Sequence, residues 1–178
     1  MVAVCVGVLV TPQPAHAADT PRHGCRYASG FFTWQLRGSS PFLSSDEPWL
    51  TAGQWWGSMS DVNPAWGSYV PFMKVWYWNE GNTGTYGLAT GCRAPHIWGE
   101  YETDARLNRY YVDYRLKDIK FYRLVAVHEM GHLLGLMHNN SSSACNTISS
   151  MYSNPNIPYA CQKYQPQPAD IRPVNLIY

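Results

Sequence analysis

The run His128-Glu-Met-Gly-His-Leu-Leu-Gly-Leu-Met-His138 decides how this chain is read. On an α-helix, His128 and His132 stand at i and i+4, one turn apart on one face, so both imidazoles can converge on a single metal ion. Glu129 then lies beside that ion. Gly135 can take the left-handed conformation that ends a helix without a Cβ penalty, which turns the chain and returns His138 as a third ligand. Three nitrogen ligands suit zinc, with Zn–N distances of about 2.0–2.1 Å, and leave a fourth position for water, the arrangement of a catalytic rather than a structural site. Water held there has its pKa lowered to about 7, and Glu129 is the group placed to take its proton.

A lone histidine on an apolar helix is ordinarily a core residue. Three histidines, a glutamate and a glycine at five fixed positions are another matter, because at average residue usage they coincide by chance in roughly one chain of this length in a hundred thousand. The spacing HExxHxxGxxH resembles that of the metzincin metallopeptidases. Ser149, Ser150, Met151, Tyr152 and Ser153 stand where that family carries its Met-turn, a methionine packed beneath the metal. Some branches place a metal-reaching tyrosine two residues after the methionine. Here Ser153 occupies that position, which is similar to the matrixin branch. The C-terminal run 168–178 is similar to the last matrixin helix, whose early aspartate, here Asp170, is tied to the Met-turn. Pro173 departs from that pattern and predicts a kink or a late helix start, since proline removes a backbone donor and clashes with the preceding turn.

The resemblance implies an α+β fold of zincin type: a mixed twisted sheet, an active-site helix, a Met-turn and a C-terminal helix. It implies a zinc-dependent endopeptidase acting on protein or peptide substrates. His128, His132 and His138 would be the Zn2+ ligands and Glu129 the catalytic general base. An edge strand between residues 86 and 114 would pair with substrate backbone. A competing class is an exported binding protein that keeps zinc for stability and uses its tryptophan-rich half to hold a partner. Glu129 separates the two, because a structural site has no use for it.

Composition narrows the classes further. The chain has 178 residues, 46% hydrophobic and 14% charged, with a net charge of +1. That suits one domain with a substantial core, 18–178 here, and no nucleic-acid partner, which would call for a basic excess. A monomer is expected. The apolar run MVAVCVGVLV and the small-residue pattern Ala15-His16-Ala17 make residues 1–17 a signal peptide, although no Lys or Arg precedes Arg22. The run is too short to span a bilayer, so stable membrane insertion is not expected and a secreted, extracellular protein is. Cys25, Cys92, Cys145 and Cys161 then remain, an even number that fits two disulfides in an oxidising compartment. Cys145 and Cys161 bracket Met151, which favours their pairing and leaves Cys25 for Cys92. The order Arg22-His23-Gly24-Cys25 inverts the cysteine-switch motif of matrixin propeptides, so Cys25 is read as a disulfide partner.

The remaining elements follow from periodicity and breakers. Strands are predicted at 31–36, 72–78, 87–90 and 105–111. A helix capped by Ser45 is predicted over 46–59, and the metal-bearing helix from 117–120 to Leu134, with apolar residues dense enough for burial on more than one face. Residues 139–143 read as a loop. Trp55 and Trp56 fall in a helix, while Trp76 and Trp78 alternate on a strand and share a face, which favours the core for the tryptophans and leaves an aromatic surface patch open for the others.

Overall fold

The computed structural model describes residues 18–22, 30–67, 73–90, 103–114 and 116–178. In chain order the elements are β1 (Phe31–Arg37), α1 (Pro48–Met59), β2 (Asn63–Trp66), β3 (Met73–Trp78), β4 (Gly87–Thr90), β5 (Thr103–Asn108), α2 (Tyr110–Asp113), α3 (Ile119–Leu133), α4 (Asn156–Ala160) and α5 (Pro168–Asn175). The five strands form one sheet in the order β2-β1-β3-β5-β4, so the fold is α+β. β2, β1, β3 and β5 run parallel, and β4 alone is antiparallel, at the edge.

Strand alternation sets the core. Phe32 and Trp34 on β1, Met73 and Val75 on β3, and Ala105 and Leu107 on β5 are buried and belong to one apolar cluster. α1 contributes Trp49, Ala52, Gly53 and Trp56, an i, i+3, i+4, i+7 stripe. The indole of Trp56 donates to the Val127 carbonyl at 3.2 Å and so joins α1 to α3. α3 is buried over nearly its whole length, including Phe121, Tyr122, Leu124, Val125, Ala126 and Val127. Asp118 caps it, accepting from the Phe121 amide at 3.0 Å.

Several boundaries differ from the sequence expectation. α1 begins at Pro48, two residues late, and its cap is Glu47 rather than Ser45: the Glu47 carboxylate accepts from the Trp49 amide at 3.0 Å. The cause is Pro48, which disfavours helical backbone in the residue before it but is well suited to the first helical position. β5 ends at Asn108 instead of running to residue 111, because the Asn108 side chain accepts from the Glu80 and Tyr110 amides and donates to the Gly81 and Thr85 carbonyls. β2 has no strong strand signal and contains Pro64, which an edge strand tolerates. Trp76 and Trp78 do share a face, but it is the outer one. Met73 and Val75 hold the inner positions, and Trp78 is 58% exposed.

The C-terminal helix starts at Pro168, not late, and continues through Pro173. Proline leaves the carbonyl four residues earlier, on Ala169, without its helical partner. The Thr20 amide supplies the replacement, donating to Ala169 O at 2.9 Å. Cys145 and Cys161 are joined as a disulfide. Cys25 and Cys92 lie outside the described residues, as does the 1–17 segment. Among the described residues no helix is long and apolar enough to cross a membrane.

Packing beneath α3 leaves no room at Gly131. A Cβ there would run into Met151 Sδ, and Met151 is fully buried. Gly131→Ala should therefore destabilise the protein by about 1–2 kcal/mol, the overpacking cost exceeding the roughly 1 kcal/mol gained in helix propensity. Urea unfolding checks the sign: a midpoint above that of wild type would contradict this account of the contact.

Candidate metal centre and active site

α3 delivers His128, Glu129 and His132 and ends one residue later. Gly135 follows with φ of 94°, a conformation that a side chain would oppose. This reversal carries the chain back through Leu136 and Met137 to His138. The ligand atoms of the three histidines lie within 4.8 Å of one another, a cluster able to hold a metal ion.

Backbone carbonyls orient two of the rings. His128 Nδ1 lies 2.9 Å from the Ser150 carbonyl, and His132 Nδ1 lies 2.8 Å from the Leu136 carbonyl. A carbonyl only accepts, so both Nδ1 atoms carry the proton and both Nε2 atoms point a lone pair inward. His132 Nε2 stands 3.2 Å from His128 Nε2 and 3.3 Å from His138 Nε2. Tetrahedral zinc with bonds of about 2.0–2.1 Å requires nitrogen–nitrogen edges of about 3.3–3.4 Å. The donor set therefore fits zinc in type, and the two edges that meet at His132 fit it in spacing.

Ser150 belongs to the Met-turn, and its position is fixed by Asp170 of α5. Asp170 is completely buried. Its Oδ2 accepts from the Ser150 amide at 3.0 Å and the Ser150 hydroxyl at 2.8 Å, and its Oδ1 from the Ser149 hydroxyl at 2.5 Å. The aspartate early in the last helix is thus tied to the Met-turn, as the resemblance implies, and through the Ser150 carbonyl the connection extends to the His128 ring.

Burial governs the charge states. Desolvation, reinforced by the neighbouring His132 and His138, lowers the His128 pKa to about 3, against the opposing bond to Ser150. Desolvation also raises the Glu129 pKa to about 8, opposed by a hydrogen bond from the Ala89 backbone. The Ala89 amide thus ties the carboxylate to β4. That strand approaches α3 closely at Gly87, where a Cβ would lie 2.6 Å from Glu129 Oε1 and 2.7 Å from Val125 Cγ1. Only a residue without a side chain admits the carboxylate here.

A cleft of about 590 Å³ opens over these groups. Its lining includes Gly87, Leu88 and Ala89 of β4, Val125 and the three histidines of the motif, and Met137, Ser153 and Pro155. All four residues singled out from the motif, His128, Glu129, His132 and His138, line it. The groups that orient them were not visible in the sequence, because Ser150 O, Leu136 O and Ala89 N are main-chain atoms with no residue-type signature.

The matrixin family model matches residues 19–178. The chain belongs to the matrixin family. Zinc is the metal of that family, in agreement with the histidine cluster of this matrixin. Among solved structures, that of myroilysin is similar over 64% of this chain and 52% of its own, at 16% identity and a TM-score of 0.41, so the chain spans about half the length of that protein. No match was found among curated proteins.

The raised Glu129 pKa has a consequence for the metal-free protein. Between about pH 4.5 and 8 the folded chain retains a proton that the unfolded chain has released, so this group's contribution to stability is lost as pH rises through that window. Glu129→Gln removes the penalty, whereas the lowered His128 pKa is common to both proteins and cancels. Metal-free Glu129→Gln should melt on the order of 10 °C above wild type at pH 9, with the difference shrinking toward pH 5. Thermal scans in chelator across that range check this: a difference that stayed constant with pH would assign the effect to packing rather than charge.

Proposed function

We propose that this matrixin is a secreted zinc-dependent endopeptidase, with His128, His132 and His138 as the metal ligands and Glu129 as general base. The observation that carries the reading is Glu129 itself. A carboxylate is buried at the mouth of the histidine cluster, hydrogen-bonded to a sheet edge, and facing a cleft. A site that used its metal only for stability would gain nothing from burying that group, and burial without need is costly. This disfavours the alternative of a zinc-stabilised binding protein.

Zinc held by three neutral imidazoles makes water a competent nucleophile near neutral pH and polarises a scissile carbonyl. The protein's own groups do the rest. One carboxylate oxygen of Glu129 removes a proton from the attacking water as its oxygen bonds to the carbonyl carbon. The same oxygen then delivers that proton to the amide nitrogen as the C–N bond breaks. β4 is the edge strand on the side of the cleft, and its Ala89 amide already faces Glu129, so the Ala89 carbonyl faces the same way. Pairing of an extended substrate along this edge supplies affinity through the main chain, with little demand on sequence.

Two substitutions test the assignment. Glu129→Gln should retain zinc while cleavage of an unstructured protein substrate falls on the order of a hundredfold or more; near-normal turnover with zinc bound would overturn the general-base role. His138→Ala should weaken zinc binding severely, because the chain has no glutamate after Glu129 to replace the third ligand. Binding of metal to the native state adds to its stability, so the melting temperature in zinc-containing buffer should fall as well. Unchanged zinc affinity would exclude His138 as a ligand.

A further inference from the structure

The segment that carries His138 is held from below by residues far away in the sequence. Residues 136–139 lie against residues 18–22: Arg22 and Leu136 form an antiparallel bridge, and the Met137 amide donates to the Pro21 carbonyl at 2.7 Å. Asn139, the residue immediately after His138, is buried and uses its backbone amide and both polar atoms of its side chain. Its amide donates to the Met151 carbonyl at 2.9 Å. Its side-chain nitrogen donates to the Ala18 carbonyl at 2.9 Å and to Thr20 Oγ1 at 3.0 Å. Its side-chain oxygen accepts from the Ser141 amide and hydroxyl.

Thr20 is the joint of this arrangement. It is 2% exposed. Its hydroxyl accepts from Asn139 and donates its one proton to Asp170 Oδ1 at 2.6 Å, while its amide fills the Ala169 carbonyl that Pro173 leaves open. A hydroxyl has one donor and two acceptor sites, so no apolar side chain can serve both neighbours. The same Asp170 fixes Ser150, whose carbonyl orients His128, and the strapped Leu136 supplies the carbonyl that orients His132.

We propose that Thr20 and Asn139 are positioning residues of the zinc site: through the 18–22 strap they fix the backbone that presents His138 and orients His132. The inference rests on the assignment of the three histidines as ligands. Removal of groups that orient metal ligands costs about 10–100-fold in metal affinity. Thr20→Val preserves shape but abolishes both hydroxyl bonds, and Asn139→Ala cuts the same connection from the other side. Each should lower zinc affinity at least 10-fold in chelator competition, and the double variant should lose no more than the worse single one. Thr20→Ser should bind within about twofold of wild type. Arg172→Ala, which removes an exposed ion pair to Asp19, should do the same. If Thr20→Val does not fold, Asn139→Ala and Thr20→Ser carry the test. Wild-type affinity in Asn139→Ala, or a loss in Thr20→Ser as large as in Thr20→Val, would overturn the proposal. His138→Ala in the same assay separates the two levels, since unchanged affinity there would remove the ligand assignment itself.

Discussion

The fully buried carboxylate of Asp170 is the constraint on which the site depends. A carboxylate withdrawn from water is tolerated only when its lone pairs are filled, and charge-assisted bonds are the strong ones. Asp170 obtains them from three separate parts of the chain: Thr20 near the start, Ser149 and Ser150 in the Met-turn, and the Gln167 amide at the head of its own helix. None of these segments could move without exposing or orphaning the charge. The Met-turn is therefore fixed by electrostatics rather than by apolar packing alone, and Met151 above it serves as filler against Gly131.

Once that hub is set, the geometry of the histidine cluster follows by short steps. Ser150 presents its carbonyl to His128, and the Gly135 reversal lets Leu136 present its carbonyl to His132. Both imidazoles are thereby held in the tautomer whose Nε2 carries a lone pair. Burial lowers the pKa of His128 to about 3, which keeps it neutral and available as a ligand in ordinary buffers. The same burial raises Glu129 toward 8, into the range useful to a general base. One physical cause thus suits both His128 and Glu129 to the roles proposed for them.

The parts legible in the sequence were those in which side-chain identity carries the chemistry. The histidine spacing, the Met-turn and the Cys145–Cys161 pair all announce themselves by residue type, and α3, β1, β3 and β4 by pattern. What escaped was set by the backbone or by distant partners. The start of α1 was decided by Pro48 acting on its predecessor, the end of β5 by the four-way bonding of Asn108, and β2 by edge pairing to β1 with no strand signal of its own. The tryptophans divided by register: Trp34, Trp49 and Trp56 entered the core, whereas Trp66 and Trp78 stayed more than half exposed.

Pro173 shows why such distant dependences resist local reading. Taken alone, a proline in an eight-residue helix signals interruption, because the Ala169 carbonyl loses its donor. The helix persists because the Thr20 amide, some 150 residues away in sequence, makes the missing bond at the same place where its hydroxyl meets Asp170. The helix defect and the docking of the 18–22 segment are one feature: an uninterrupted helix would have its Ala169 carbonyl already occupied and would offer the strap one bond fewer. A residue that weakens α5 locally thereby strengthens the connection between the Met-turn, the C-terminal helix and the loop that bears His138.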